Sequence, residues 1–159
     1  MDAVEHIETV LAKAFTGRKL AELGNLLETD RELLRLEYEQ AVALGLINNN
    51  APADDKIAIM QRKGVLGMNA ILSMSLALGR AIAARDGKEL WQLIRSMAVE
   101  TMAKFIAANA KTGAKDPAAL KAMDFEALKT EFRKTAETAI KENKTIYELL
   151  RKQLPVYPV

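Results

Sequence analysis

With 159 residues, eight of them aromatic and none cysteine, the chain can bury about two-thirds of its unfolded surface in one domain. The missing cysteines exclude a disulfide framework, a thiolate nucleophile and a thiolate metal site. The net charge of +2 conceals a split, because residues 1–55 carry 11 acidic and 5 basic side chains, net −6, while residues 56–159 carry net +8; such a split steers partners, orients self-association or draws opposite faces of one bundle together.

Ala, Leu, Glu and Lys dominate, which favours helix over sheet. Residues 1–15 are acidic and amphipathic, unlike a secretory signal with its basic start and apolar middle, so a cytoplasmic location is expected. Asp2 is placed to cap a first helix with apolar positions Val4, Ile7, Val10, Leu11 and Phe15, ending at Gly17. A second segment carries Leu20, Leu23, Leu26 and Leu27. Thr29 and Glu32 then read as a T-x-x-E capping box, so the next helix is expected to start near Asp30. Its stripe is Leu33, Leu34, Leu36, Ala41, Val42 and Leu44, with Gly45 as its stop.

GLINNNAPA, residues 45–53, is the clearest loop, and Asp54 can cap a short helix running through Ile57 and Met60 to Gly64. Gly64–Ala84, GVLGMNAILSMSLALGRAIAA, is the longest apolar stretch. About fifteen residues precede Arg80, short of the roughly 20 that a bilayer core needs, so a buried central helix over about 66–85 is expected and no membrane span. A helix this apolar should be surrounded by others. Leu72 and Leu76 sit near its middle, and at least one should be fully buried.

Asp86-Gly87 breaks that helix. A long helix over roughly 88–110 follows, with Leu90, Trp91, Ile94, Met97, Ala98, Met102, Phe105 and Ile106 on a wide apolar face. Residues 111–115 read as a loop. Asp116-Pro117 starts another helix, and Asp124 caps one carrying Phe125, Leu128, Phe132, Ala136 and Ile140. Thr145 and Glu148 form a second capping box before a last helix, Ile146–Leu154, and residues 155–159 read as a flexible tail. No strand alternation or internal repeat appears. The expectation is a single all-α domain over 1–159, a bundle of seven or eight helices around the central one.

His6 is the sole histidine and has no second histidine or cysteine to complete a transition-metal site, so no metal and no cofactor is expected. Phosphate-loop and dinucleotide fingerprints are missing. Carboxylates such as Glu37 and Glu39 point to different helix faces. One constellation stands out. Asn69, Ser73 and Arg80 share a stripe about 40° wide on the central helix, and Arg62, Lys63, Gly64 and Gly67 lie just upstream. A basic, glycine-containing turn feeding a helix N-terminus suits a phosphate or carboxylate, because backbone N–H groups and the helix dipole point the same way. The same residues also suit the solvent edge of an otherwise buried helix. Methionines 60, 68, 74, 97, 102 and 123 read as core fillers. The basic C-terminal helices, with Lys121, Lys129, Arg133 and Lys134, interleave acidic residues such as Asp124, Glu126 and Glu131, so a solvated face is expected rather than a nucleic-acid groove.

Residues 66–94, LGMNAILSMSLALGRAIAARDGKELWQLI, resemble a segment of the enolase N-terminal domain. In that family a Leu-Gly-Ala-Asn-Ala-Ile-Leu stretch leads into a Ser-Leu-Ala helix and then a Gly and a Leu-Tyr pair; here Met68 replaces the Ala and Leu90-Trp91 stands for Leu-Tyr. The resemblance implies a helical hairpin. The family's acidic metal ligands and catalytic lysine belong to a barrel with no counterpart in this chain, so the resemblance implies no site residue here.

The function expected is that of a non-catalytic helical interaction module, a homo-oligomer or a subunit of a larger complex. The alternatives are a small-molecule binder or enzyme with an anion pocket at Arg62–Asn69, and a weak nucleic-acid binder through the basic C-terminal two-thirds.

Overall fold

The computed structural model describes residues 2–109 and 116–142, and the secondary structure there is all helical, as composition favours, with seven helices and no strand among them. The loop expected at 111–115, the capping box at Thr145, the helix over 146–154 and the tail at 155–159 lie outside the described residues. Contacts group the chain into two compact units, the first running to Leu90 and the second beginning at Trp91.

In the first unit, helix α1 covers residues 3–15 (Ala3–His6, Ile7–Leu11, Ala12–Phe15). Asp2 caps it by accepting from the Glu5 N–H at 2.9 Å. Its middle is underwound into a wider π turn, where the Ala12 N–H reaches back five residues to the Ile7 carbonyl. One extra residue in the turn rotates everything before it by about 100°. Leu11 is therefore fully buried while Val4, which belongs to the same stripe in an ordinary helix, is 61% exposed.

A short 3₁₀ turn, Leu20–Glu22, leads to helix α2, Leu26–Ala43. The start at Leu26 corrects the one expected near Asp30. Asn25 is the cap: it accepts from the Glu28 N–H at 3.0 Å, and Glu28 returns the bond to the Asn25 N–H at 2.8 Å. Thr29 is already inside the helix and buried, its hydroxyl donating to the Leu26 carbonyl at 2.9 Å. Leu44 falls past the last turn and is exposed. Arg18 closes the entry to α2 with a two-pronged pair to Glu32, at 2.9 and 2.6 Å.

Helix α3, Ala53–Arg62, follows Pro52 without a side-chain cap, so Asp54 lies inside it rather than before it. It ends at Lys63 (φ +46°), in the left-handed conformation, one residue before the stop expected at Gly64. Helix α4, Met68–Arg85, then begins after Gly67, whose φ of +91° favours glycine.

Helix α4 packs against α1 and α2, burying Ala70, Ile71, Leu78, Gly79, Ile82 and Ala83. It is not surrounded. Leu72 is 53% and Leu76 37% exposed, which corrects the expectation that one of them is a core residue. They lie on the stripe adjoining the buried one, and with apolar side chains all round the helix, spacing alone could not select which stripe faces inward. Gly79 allows the closest approach, since a Cβ there would lie 3.1 Å from Leu90 Cδ1 and 3.4 Å from Leu26 Cδ1. At the C-terminus of α4, Arg85 gathers the carbonyls of Leu20, Leu23 and Gly24 with one guanidinium nitrogen and binds Asp86 at 2.7 Å with its Nε.

In the second unit, helix α5 (Leu90–Asn109, whose first residue belongs to the first unit) packs with α6 (Pro117–Lys121) and α7 (Phe125–Lys141). Asp116 caps α6 ahead of Pro117, and Asp124 caps α7, as expected. Met102, Ala103, Ile106, Leu120 and Leu128 form the core, and the Phe105 and Phe132 rings meet at 4.9 Å. Of the methionines expected to fill core, Met102 does so, whereas Met68 and Met123 are exposed. Ile140 is exposed as well.

Candidate functional site

The turn between α3 and α4 is built around a carboxylate from α2. Glu37 shares the buried face of α2 with Leu33 and Ala41, at helical spacing, and is 0% exposed. A buried carboxylate needs donors. It accepts the backbone N–H of Val65 at 2.9 Å and of Leu66 at 2.8 Å. The other side of the same loop is held by His6, whose Nδ1 lies 2.7 Å from the Leu66 carbonyl; a carbonyl only accepts, so Nδ1 carries the proton. Lys63 is buried beside Glu37, with Nζ donating to the Gln61 carbonyl at 3.1 Å. Burial pushes the Lys63 ammonium below its ordinary pKa, and the charge of Glu37 opposes that shift.

This turn thus contains its own anion. Lys63, Gly64 and Gly67 come together in it, and the N–H groups of Val65 and Leu66 are bonded to Glu37. Arg62 and Gly64 are exposed. Asn69, Ser73 and Arg80 fall together on the outer face of α4, all exposed, beside Met68, Leu72 and Leu76. Glu37 and His6 are the participants that sequence reasoning missed. For Glu37 the signal was present, because it sits four residues after Leu33 and four before Ala41 on the core stripe.

A second locus lies on α5. Trp91, Gln92, Arg95, Ser96 and Val99 line an open groove of about 390 Å³. The Trp91 indole is 60% exposed, and Ile94 beside it is half exposed. The Arg95 guanidinium lies over the Phe125 ring, 4.7 Å from its centroid. Nearby carboxylates are already engaged: Glu100 with Lys104 at 3.1 Å and Lys121 at 3.4 Å, and Glu126 with Lys129 at 2.7 Å. The hydrogen bond and charge of Lys104, helped by Lys121, hold Glu100 below the usual carboxylate range.

Among the described residues no group of His, Cys, Asp and Glu is placed to hold a metal ion, and no helix is long and apolar enough to cross a membrane. Compared with known proteins, the chain matches no family model, no curated protein and no solved structure.

Proposed function

We propose that the protein is a non-catalytic α-helical interaction module that self-associates or serves as a subunit of a larger complex. The observation that supports this reading is the large apolar surface left outside each compact unit. On α4, Met68, Leu72 and Leu76 form one outward stripe at i, i+4 and i+8. On α5, Trp91 and Ile94, at i and i+3, are exposed side by side. Single exposed apolar residues are ordinary, but contiguous ones mark contact surfaces, and tryptophan is enriched among the residues that dominate binding energy. Size-exclusion chromatography with light scattering at tens of micromolar tests the self-associating form, with an oligomer as the expected result. A strict monomer there removes it.

A further inference from the structure

We propose that the Trp91–Arg95 face of α5 docks the first helix of a second copy of the chain, through Val4 and Glu8 of that copy; the proposal rests on the self-association reading above. Two features make Arg95 a prepared anion receptor. Contact with the Phe125 ring holds its guanidinium in place, 4.7 Å from the ring centroid, so less freedom is lost when its donors engage a carboxylate. Glu100, on the same helix, and Glu126, next to Phe125, are bonded to lysines, and among the described residues Arg95 has no ion-pair partner. One turn before it, the exposed Trp91 indole offers apolar area with few torsions to freeze.

The complementary surface lies in the acidic part of the chain. Most carboxylates of residues 1–55 are engaged within the fold: Asp2 and Glu28 as caps, Glu32 and Glu39 with arginines, Asp30 with Ser75, Glu37 in the core. Glu5 and Glu8 are exposed, and their carboxylates have no partner among the described residues. Val4 stands beside them, turned outward by the π turn of α1. Val4 and Glu8 are separated by one helical turn, i to i+4, and so are Trp91 and Arg95. Each pair sets one apolar and one charged side chain about one turn apart on a helix. Val4 can therefore lie against the indole while the Glu8 carboxylate meets the Arg95 donors, and Glu5 adds to the negative field. Opposite net charges of the two portions steer the encounter.

The test is charge reversal read by sedimentation velocity on the full chain at low ionic strength, with circular dichroism to check helix content. Arg95→Glu and Glu8→Arg are each expected to weaken self-association about tenfold or more, and the double variant Arg95→Glu with Glu8→Arg to recover most of it. Trp91→Ala, at an exposed position, should weaken association with the fold unchanged. A wild-type oligomer whose association constant is the same in both reversals overturns the docking and leaves the self-association reading intact. Single variants that weaken association while the double variant fails to recover also overturn the pairing. A wild-type chain that stays monomeric removes both.

Discussion

Ser75 on α4 donates its hydroxyl to the Asp30 carboxylate on α2 across 2.6 Å, tying together the two longest helices of the first unit. Burial raises the Asp30 pKa above the ordinary carboxylate value, and the Ser75 hydrogen bond only partly opposes it. A folded-state pKa above the unfolded one means that the folded chain holds the proton longer. This group's contribution to stability is therefore greatest below the ordinary carboxylate range. It is lost as pH rises through the raised value. Asp30→Asn keeps an acceptor for Ser75 and removes the titration. Urea unfolding across pH 3 to 7 (about the interval in which carboxylates titrate) should show a smaller fall in stability with rising pH in the variant than in the parent.

Glu37 is the clearest single point of failure in the first unit. Glu37→Ala leaves the Val65 and Leu66 N–H groups buried without an acceptor, each a loss of about 1–3 kcal/mol. It also leaves Lys63 buried without its opposing charge. A total loss of about 2–6 kcal/mol is expected from denaturant midpoints, with Glu37→Gln milder because it retains one carbonyl oxygen. An unchanged midpoint in Glu37→Ala would show that the α3–α4 turn does not depend on this carboxylate.

Gly24 is reserved for the cap of α2. A Cβ there would lie 2.0 Å from Glu28 Oε2, in the space that carboxylate uses to reach the Asn25 N–H. Gly24→Ala should displace Glu28 and cost about 0.5–2 kcal/mol, the usual scale of a lost cap. The Glu28→Ala variant should cost a similar amount, and the two together little more than either alone. Additive losses would mean that the two residues act independently.

Core and surface on α4 should separate cleanly. Ile82 is fully buried, and Ile82→Ala is expected to cost about 2–5 kcal/mol. Leu72, on the outward stripe, should cost under about 1 kcal/mol on truncation to alanine. Equal losses at the two positions would contradict the burial pattern.

The helical class was legible because its punctuation is local chemistry. Asp2, Asp116-Pro117 and Asp124 cap as their sequence neighbourhoods indicate, and Gly17 and Gly45 adopt the positive φ that a helix end uses. The start of α2 was misread because two caps compete within five residues; Asn25 prevails over Thr29 since Leu26 can then be buried. The inward face of α4 was illegible, because spacing distinguishes faces only when one is polar. At the α3–α4 turn the sequence points to an anion beside Lys63 and Gly67, yet Glu37 lies 28 residues away from Val65. Only the packing of α2 against α3 and α4 brings that carboxylate to the turn.

The π turn of α1 also bears on how this helix tolerates change in length. It holds one residue more than a regular helix of the same span, and the surplus is absorbed between Ile7 and Leu11. Removing a single residue there would not shorten the helix by a disruptive amount. It would wind the turn back to ordinary pitch and swing Val4 toward the side that Leu11 buries, so this helix contains a register setting that one codon could reverse.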